Sequence, residues 1–217
     1  IPFPVGTFPT AQKQHHMKIT GGDGDVWSLG VLNAGALNIG PKKVSQLIRE
    51  FESSVKLTDT IDVIANNMRD FFVREVITAL SYKKIDEYNI EPINFALAGF
   101  DRNDPTNNLP KKFVIKINRT PAIDPFPGYG AVWVGRVEIP SMFNNPSFMK
   151  NFGLESINVL FDHMNVQDAI DYNRFLINTV IGYQKFAPMP SDVGGEIEVG
   201  VICREKEYLW INRMAWS

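Results

Sequence analysis

The residues suited to chemistry in this chain are few and scattered. His15 and His16 are adjacent. On a strand, neighbouring side chains point to opposite faces, so these two can share a metal ion only from a loop. His163 stands alone. Asp23 and Asp25, within Gly21-Gly22-Asp23-Gly24-Asp25, offer carboxylates to calcium. The remaining ligands of an EF-hand loop are missing, however, and the same residues make a plain hairpin turn. Asp168 and Asp171 lie three apart, close enough on a helix face for acid–base work. At a helix start they would equally favour the helix dipole. Cys203 is the single cysteine, which excludes an intramolecular disulfide and a thiolate-rich metal site. Its apolar surroundings predict a small buried hydrophobe. Lys83-Lys84 and Lys111-Lys112 read as solvated pairs. No GxxxxGK[ST] or GxGxxG occurs, and Gly128-x-Gly130 with Gly135 has the wrong spacing for a dinucleotide loop. No cofactor and no metal site are expected.

The elements that must position these groups belong to a chain able to bury a sizeable core. It has 217 residues, 44% of them hydrophobic and 21% charged, so it is not of the disordered class. A net charge of -2 gives no whole-molecule attraction to nucleic acid or to an anionic membrane, and neither partner is expected. No apolar run reaches the roughly 20 residues of a spanning helix. The first residues, Ile1-Pro2-Phe3-Pro4-Val5-Gly6, do not have the pattern of a signal peptide. The absence of a starting Met leads us to expect processing or truncation ahead of Ile1. A cytoplasmic location is the expectation.

Residues 1–16 read as irregular, with Pro2, Pro4 and Pro9 against regular pairing. Met17–Ile19 and the apolar run Val26–Leu32 flank the Gly-Asp turn and predict a hairpin. Gly40-Pro41 is expected to open a helix carrying Val44, Leu47, Ile48, Phe51 and Val55 on one face. A second helix, capped by Thr58 or Asp59, carries Ile61, Ile64, Ala65, Met68, Phe72, Val76 and Ala79. Strands follow at Ile93–Phe100, Phe113–Ile117 and Tyr129–Val137, and residues 141–150 suggest a short or broken helix. Phe143, Phe148, Met149 and Phe152 are more apolar than a surface loop needs, which points to core or to a subunit interface. Asn165 caps a long helix whose buried face is expected to include Val166, Ala169, Ile170, Leu176, Ile177, Val180 and Ile181. Two strands close the chain, Glu196–Cys203 and Tyr208–Asn212.

Strands that follow one another without crossovers imply antiparallel sheets, and grouped helices imply outer layers. The expected fold is therefore α+β, a four-layer αββα sandwich of two antiparallel sheets. It would form a single domain over 1–217, with the fold proper at about 17–212.

Several segments carry a family resemblance in their common order. Met17-Lys18-Ile19, a turn, an apolar strand and the Asn33-Ala34-Gly35-Ala36 step into a helix are similar to the early part of proteasome-type subunits. Asn94-Phe95-Ala96-Leu97-Ala98-Gly99-Phe100-Asp101 and Gly128-Tyr129-Gly130-Ala131-Val132-Trp133-Val134-Gly135 resemble two of their middle strands. The most specific match is Val193-Gly194-Gly195-Glu196-Ile197-Glu198-Val199-Gly200-Val201-Ile202 with Tyr208-Leu209-Trp210-Ile211, which resembles the closing strand pair of proteasome-like N-terminal-nucleophile hydrolases.

That resemblance implies peptide-bond hydrolysis by the first residue of a processed chain, a threonine, serine or cysteine whose own α-amino group acts as base. It also implies a ring-shaped homo-oligomer acting on peptides or unfolded proteins. Ile1 is no nucleophile, so the resemblance places one ahead of it. Alternatively, cleavage of Gly6–Thr7 would free Thr7, with Asp23 or Asp25 as the carboxylate. Lys13 lies nearest in position to the family lysine. The supporting serine and aspartate would fall near Val193 and Pro190, where the types do not match, although Ser191 and Asp192 are close. The other readings are a non-catalytic scaffold subunit of the same fold, and a small-molecule amidase or transferase of the same superfamily.

Overall fold

The computed structural model describes residues 13–21, 24–81, 83–87, 91–102, 109–136, 138–143, 150, 159–186, 194–203 and 208–212. The chain divides into two compact units. One comprises residues 12–135 and 200–211. The other comprises residues 1–11, 136–199 and 212–217.

The larger unit is built on alternation. Strand β1 (Gln14–Thr20) turns through Gly24 into β2 (Val26–Gly35), and the two pair antiparallel with Met17 opposite Leu29 and Ile19 opposite Trp27. A small hairpin follows, β3 (Asn38–Ile39) and β4 (Lys42–Lys43). Helices α1 (Val44–Glu52) and α2 (Ile61–Ala79) come next, then β5 (Ile93–Gly99), β6 (Lys111–Ile117) and β7 (Ala122–Pro127). The five long strands form one antiparallel sheet in the order β1-β2-β5-β6-β7. Pro125 and Pro127 fall on β7, at the edge of the ladder where a missing N–H is tolerated. On the opposite edge the Lys18 N–H donates to Glu52 Oε1 at 2.7 Å, tying β1 to the end of α1.

One face of this sheet is the core. Met17, Leu29, Val31, Phe95, Leu97, Phe113 and Ile115 meet Leu47, Ile48 and Phe51 of α1 and Ile61, Ile64, Met68, Phe72 and Val76 of α2. Burying one such side chain stabilises by about 1.5–3 kcal/mol, which is why helices with apolar stripes settle here. Phe72 sits at the centre, its ring 4.5 Å from that of Phe95.

The expected first helix starts later than Gly40-Pro41. Those two residues form the β3–β4 turn, with Gly40 at φ 56°, and α1 begins at Val44. A positive φ favours glycine, and the turn it permits competes with a helix start at this position. The cap of α2 is Thr60, whose Oγ1 accepts from the Val63 N–H, in place of Thr58 or Asp59. Residues 130–134, expected as a strand, are irregular, and the strand that pairs with β6 is β7 before them.

The other face carries Gln14, His16, Ser28, Gly30, Ala34, Ala96, Ala98, Lys112, Val114, Lys116 and Asp124. Neither α1 nor α2 covers it, yet Ser28, Ala34, Ala96 and Val114 are buried. Part of its cover comes from Gly128, whose carbonyl accepts from Lys112, from Gly135 against Ala34, and from Ile202 and Tyr208 against Gly30. The closing strands β8 (Val199–Val201) and β9 (Leu209–Asn212) do pair, as a two-stranded sheet of their own, and are shorter than expected.

In the smaller unit, α3 (Glu138–Phe143) packs against α4 (Val166–Gln184). Asn165 caps α4 through a reciprocal box with Asp168. Ile170, Leu176 and Val180 are buried, while Val166 and Ile177 are exposed, so the buried stripe is narrower than the apolar pattern suggests. The side chain of Phe143, and Phe148, Met149 and Phe152 altogether, lie outside the described residues.

Candidate functional site

The groups with chemistry collect at two places in the larger unit. The first is the second face of the sheet at its β1 edge. His15 and His16 point to opposite faces, as adjacent residues on a strand must. His15 enters the core face, where its Nε2–H donates to Asn33 Oδ1 at 2.9 Å, satisfying both buried polar groups. His16 lies on the other face, its Nε2 3.0 Å from Ser28 Oγ. The Tyr208 ring stacks on the imidazole at 4.5 Å and 18°. Gln14 donates to the Tyr208 hydroxyl, and Trp210 packs 5.0 Å from Tyr208.

The second place is the end of the sheet near the start of α2. Lys111 Nζ bonds to Asp62 at the first turn of α2 and, at 3.0 Å, to Asp101 Oδ2. Asp101 is 5% exposed, and its Oδ1 has no hydrogen-bond partner among the described residues. The bond to Asp62 is the main cause that raises the Lys111 ammonium above its ordinary pKa, partly opposed by burial. Next to it, Lys112 points to the opposite face and donates to the Gly128 carbonyl, and burial lowers its pKa. The two lysines of a solvated-looking pair therefore live in different environments. Trp27 Nε1 donates to the Phe100 carbonyl at 2.9 Å, and Arg102 pairs with Asp25, closing this end.

Among the described residues, the sequence-derived candidates Lys13, Asp25, Asp168 and Asp171 do not gather at one site. Lys13 is exposed just ahead of β1, and its carbonyl accepts from the Asn33 N–H at 2.8 Å. Thr7 and Asp23 lie outside the described residues, as do Pro190, Ser191, Asp192 and Val193. Asp25 is held by Arg102. Asp168 serves the α4 cap, and Asp171 accepts from Gln167 at 3.0 Å, so the pair is spent on helix structure. Cys203 is half-buried rather than buried, because the β8 ladder ends at Val201. Among the described residues, no three His, Cys, Asp or Glu groups converge on a metal position.

Sequence reasoning missed the Ser28–His16–Tyr208 cluster. The hairpin register brings the first two together: His16 opposes Gly30 and Lys18 opposes Ser28, so His16 and Ser28 are diagonal neighbours on one face. No local signal brings Tyr208, 192 residues further along (208 less 16), onto the imidazole. No family model, no curated protein and no solved structure matches the chain. Among the described residues, no helix is long and apolar enough to cross a membrane.

Proposed function

We propose that the chain is a proteasome-like subunit that assembles into a homo-oligomeric ring. In that reading it cleaves peptide bonds once processing frees a threonine or serine to act as an N-terminal nucleophile, without an organic cofactor. One observation carries the reading. The five-stranded antiparallel sheet is buried on both faces at its centre, while α1 and α2 cover only one of them. A sheet face lined by Gly30, Ala34, Ala96 and Ala98 suits the close stacking of a second sheet about 10 Å away. The four-layer αββα sandwich is the finer form of this proposal, and a cytoplasmic location goes with it.

The element order supports the same reading: a strand pair, a small hairpin, two helices, then a three-strand meander. A non-catalytic ring subunit is the second reading. Native mass spectrometry of the intact gene product, followed by turnover of fluorogenic peptides and small amides, tests all of this. Rings with peptide turnover support the enzyme, and rings without turnover support the scaffold. Small-amide turnover by a monomer would replace both with the amidase class.

A further inference from the structure

The second face of the sheet holds a hydroxyl and an imidazole in nucleophile–base geometry, closed beneath an aromatic ring. Ser28 is 6% exposed, and its Oγ lies 3.0 Å from His16 Nε2. In that bond the hydroxyl can donate to the ring nitrogen, the arrangement from which a serine is activated. The imidazole plane is fixed by the Tyr208 ring stacked upon it, and Tyr208 is itself held by Gln14. Lys18, directly across from Ser28 in the register, brings a positive charge to the same face.

Side chains hold the cover in place. Among the described residues, β8 and β9 form a two-stranded sheet of their own with no ladder to the five-stranded one. A two-stranded unit is marginal without side-chain support. That support includes the Tyr208 stack on His16, the Gln14 bond to the Tyr208 hydroxyl, and Ile202 beside Gly30, where a Cβ would stand 2.8 Å from Ile202 Cδ1. Leu209 and Ile211 on β9 are about half exposed. Local opening at such a place requires far less than global unfolding.

We infer that Ser28 and His16 form a latent acyl-accepting pair for activated esters of small acids, reached when Tyr208 lifts. The Ser28 Oγ bonds to the ester carbonyl carbon as its proton passes to His16 Nε2. Lys18 faces the oxyanion that develops. The carbon–oxygen bond to the alcohol then breaks, and the departing oxygen takes the proton from His16. Water attacks the acyl carbon with His16 as base, releasing the acid and restoring Ser28. This chemistry is independent of an N-terminal nucleophile and of ring assembly, so failure of either leaves it standing.

The test is labelling of the full chain with a fluorophosphonate probe, which bonds phosphorus to the serine oxygen and releases fluoride. The adduct is located by peptide mass spectrometry, alongside p-nitrophenyl acetate turnover. Tyr208→Ala should label Ser28 at least about tenfold faster than wild type. Tyr208→Phe, which keeps the stack and loses the Gln14 bond, should fall between them. Adding His16→Gln to Tyr208→Ala should remove that gain, together with the rise of rate with pH that levels off once the imidazole is neutral. Ser28→Ala should remove the adduct. Label on other residues only, or a Ser28 rate indifferent to Tyr208 or to His16, overturns the inference. If Tyr208→Ala does not fold, wild type and Tyr208→Phe decide, and no Ser28 adduct in either refutes it.

Discussion

Phe72→Ala tests the packing of α2 on the sheet where it is densest. Phe72 is fully buried, with ring centroids at 4.5 Å to Phe95 on β5 and 5.3 Å to Phe71. Truncation removes the ring from the middle of a close-packed layer, and α2 cannot collapse into the gap while Ile64, Met68 and Val76 hold it on the sheet. Large-to-small changes of this kind cost about 3–5 kcal/mol. With a urea slope of about 2 kcal/mol per molar, the unfolding midpoint should fall by roughly 1.5–2.5 M. Phe126→Ala is the control, since Phe126 is 41% exposed on the edge strand and its loss should move the midpoint by less than about 0.5 M. A cycle of Phe72→Leu with Phe95→Leu should leave a coupling of about 0.5–1.5 kcal/mol. Urea melts followed by far-UV circular dichroism read all of these. Equal midpoints for Phe72→Ala and Phe126→Ala, or zero coupling, would refute the placement of α2 over β5.

Four further outcomes follow from single positions. Gly35 has φ 92° with the Pro92 carbonyl where a Cβ would stand, so Gly35→Ala should cost at least about 1–3 kcal/mol and shift the urea midpoint accordingly. Asn165→Ala removes the α4 cap and should cost about 1 kcal/mol, seen as faster amide exchange at Val166–Ile170. Lys111 and Lys112 should respond to pH with opposite sign. Lys111 is raised by Asp62, so its stabilisation is complete below the ordinary lysine value of 10.5 and is lost as pH climbs through its higher folded value. Lys111→Met should therefore be the less stable protein at pH 8, with the gap closing above that value. Lys112 is lowered by burial, so its charged form opposes folding below its folded pKa, and this cost fades as pH approaches 10.5. Lys112→Met should gain on wild type at pH 8 and lose that gain towards pH 10.5, by urea melts across the range.

Periodicity made the helices and the core legible. The stripe of α2 and the strands β5 and β6 appear where the residue pattern places them, because one buried face imposes a period on each element, whereas β1 begins at Gln14, inside the stretch that reads as irregular. Boundaries near glycine and proline were less readable. Gly40-Pro41 serves a hairpin turn as well as a helix start, and only the positive φ of Gly40 distinguishes them. Pro125 and Pro127 argue against a strand in sequence, yet β7 accepts them at an edge whose existence is a tertiary fact. The site was least legible. Lys111 and Lys112 are neighbours in the chain but face opposite sides of the sheet, so their charges are tuned by residues far away in sequence. His16 and Ser28 share a face through hairpin register, and Tyr208 joins them only through the fold.

Native mass spectrometry of the intact gene product at micromolar concentration bears most directly on the proposed ring subunit. The expected spectrum is dominated by one closed oligomer at a fixed multiple of the single-chain mass, to which these 217 residues contribute 24.5 kDa. A spectrum holding only the single chain, unchanged across concentration and salt, would contradict the proposal.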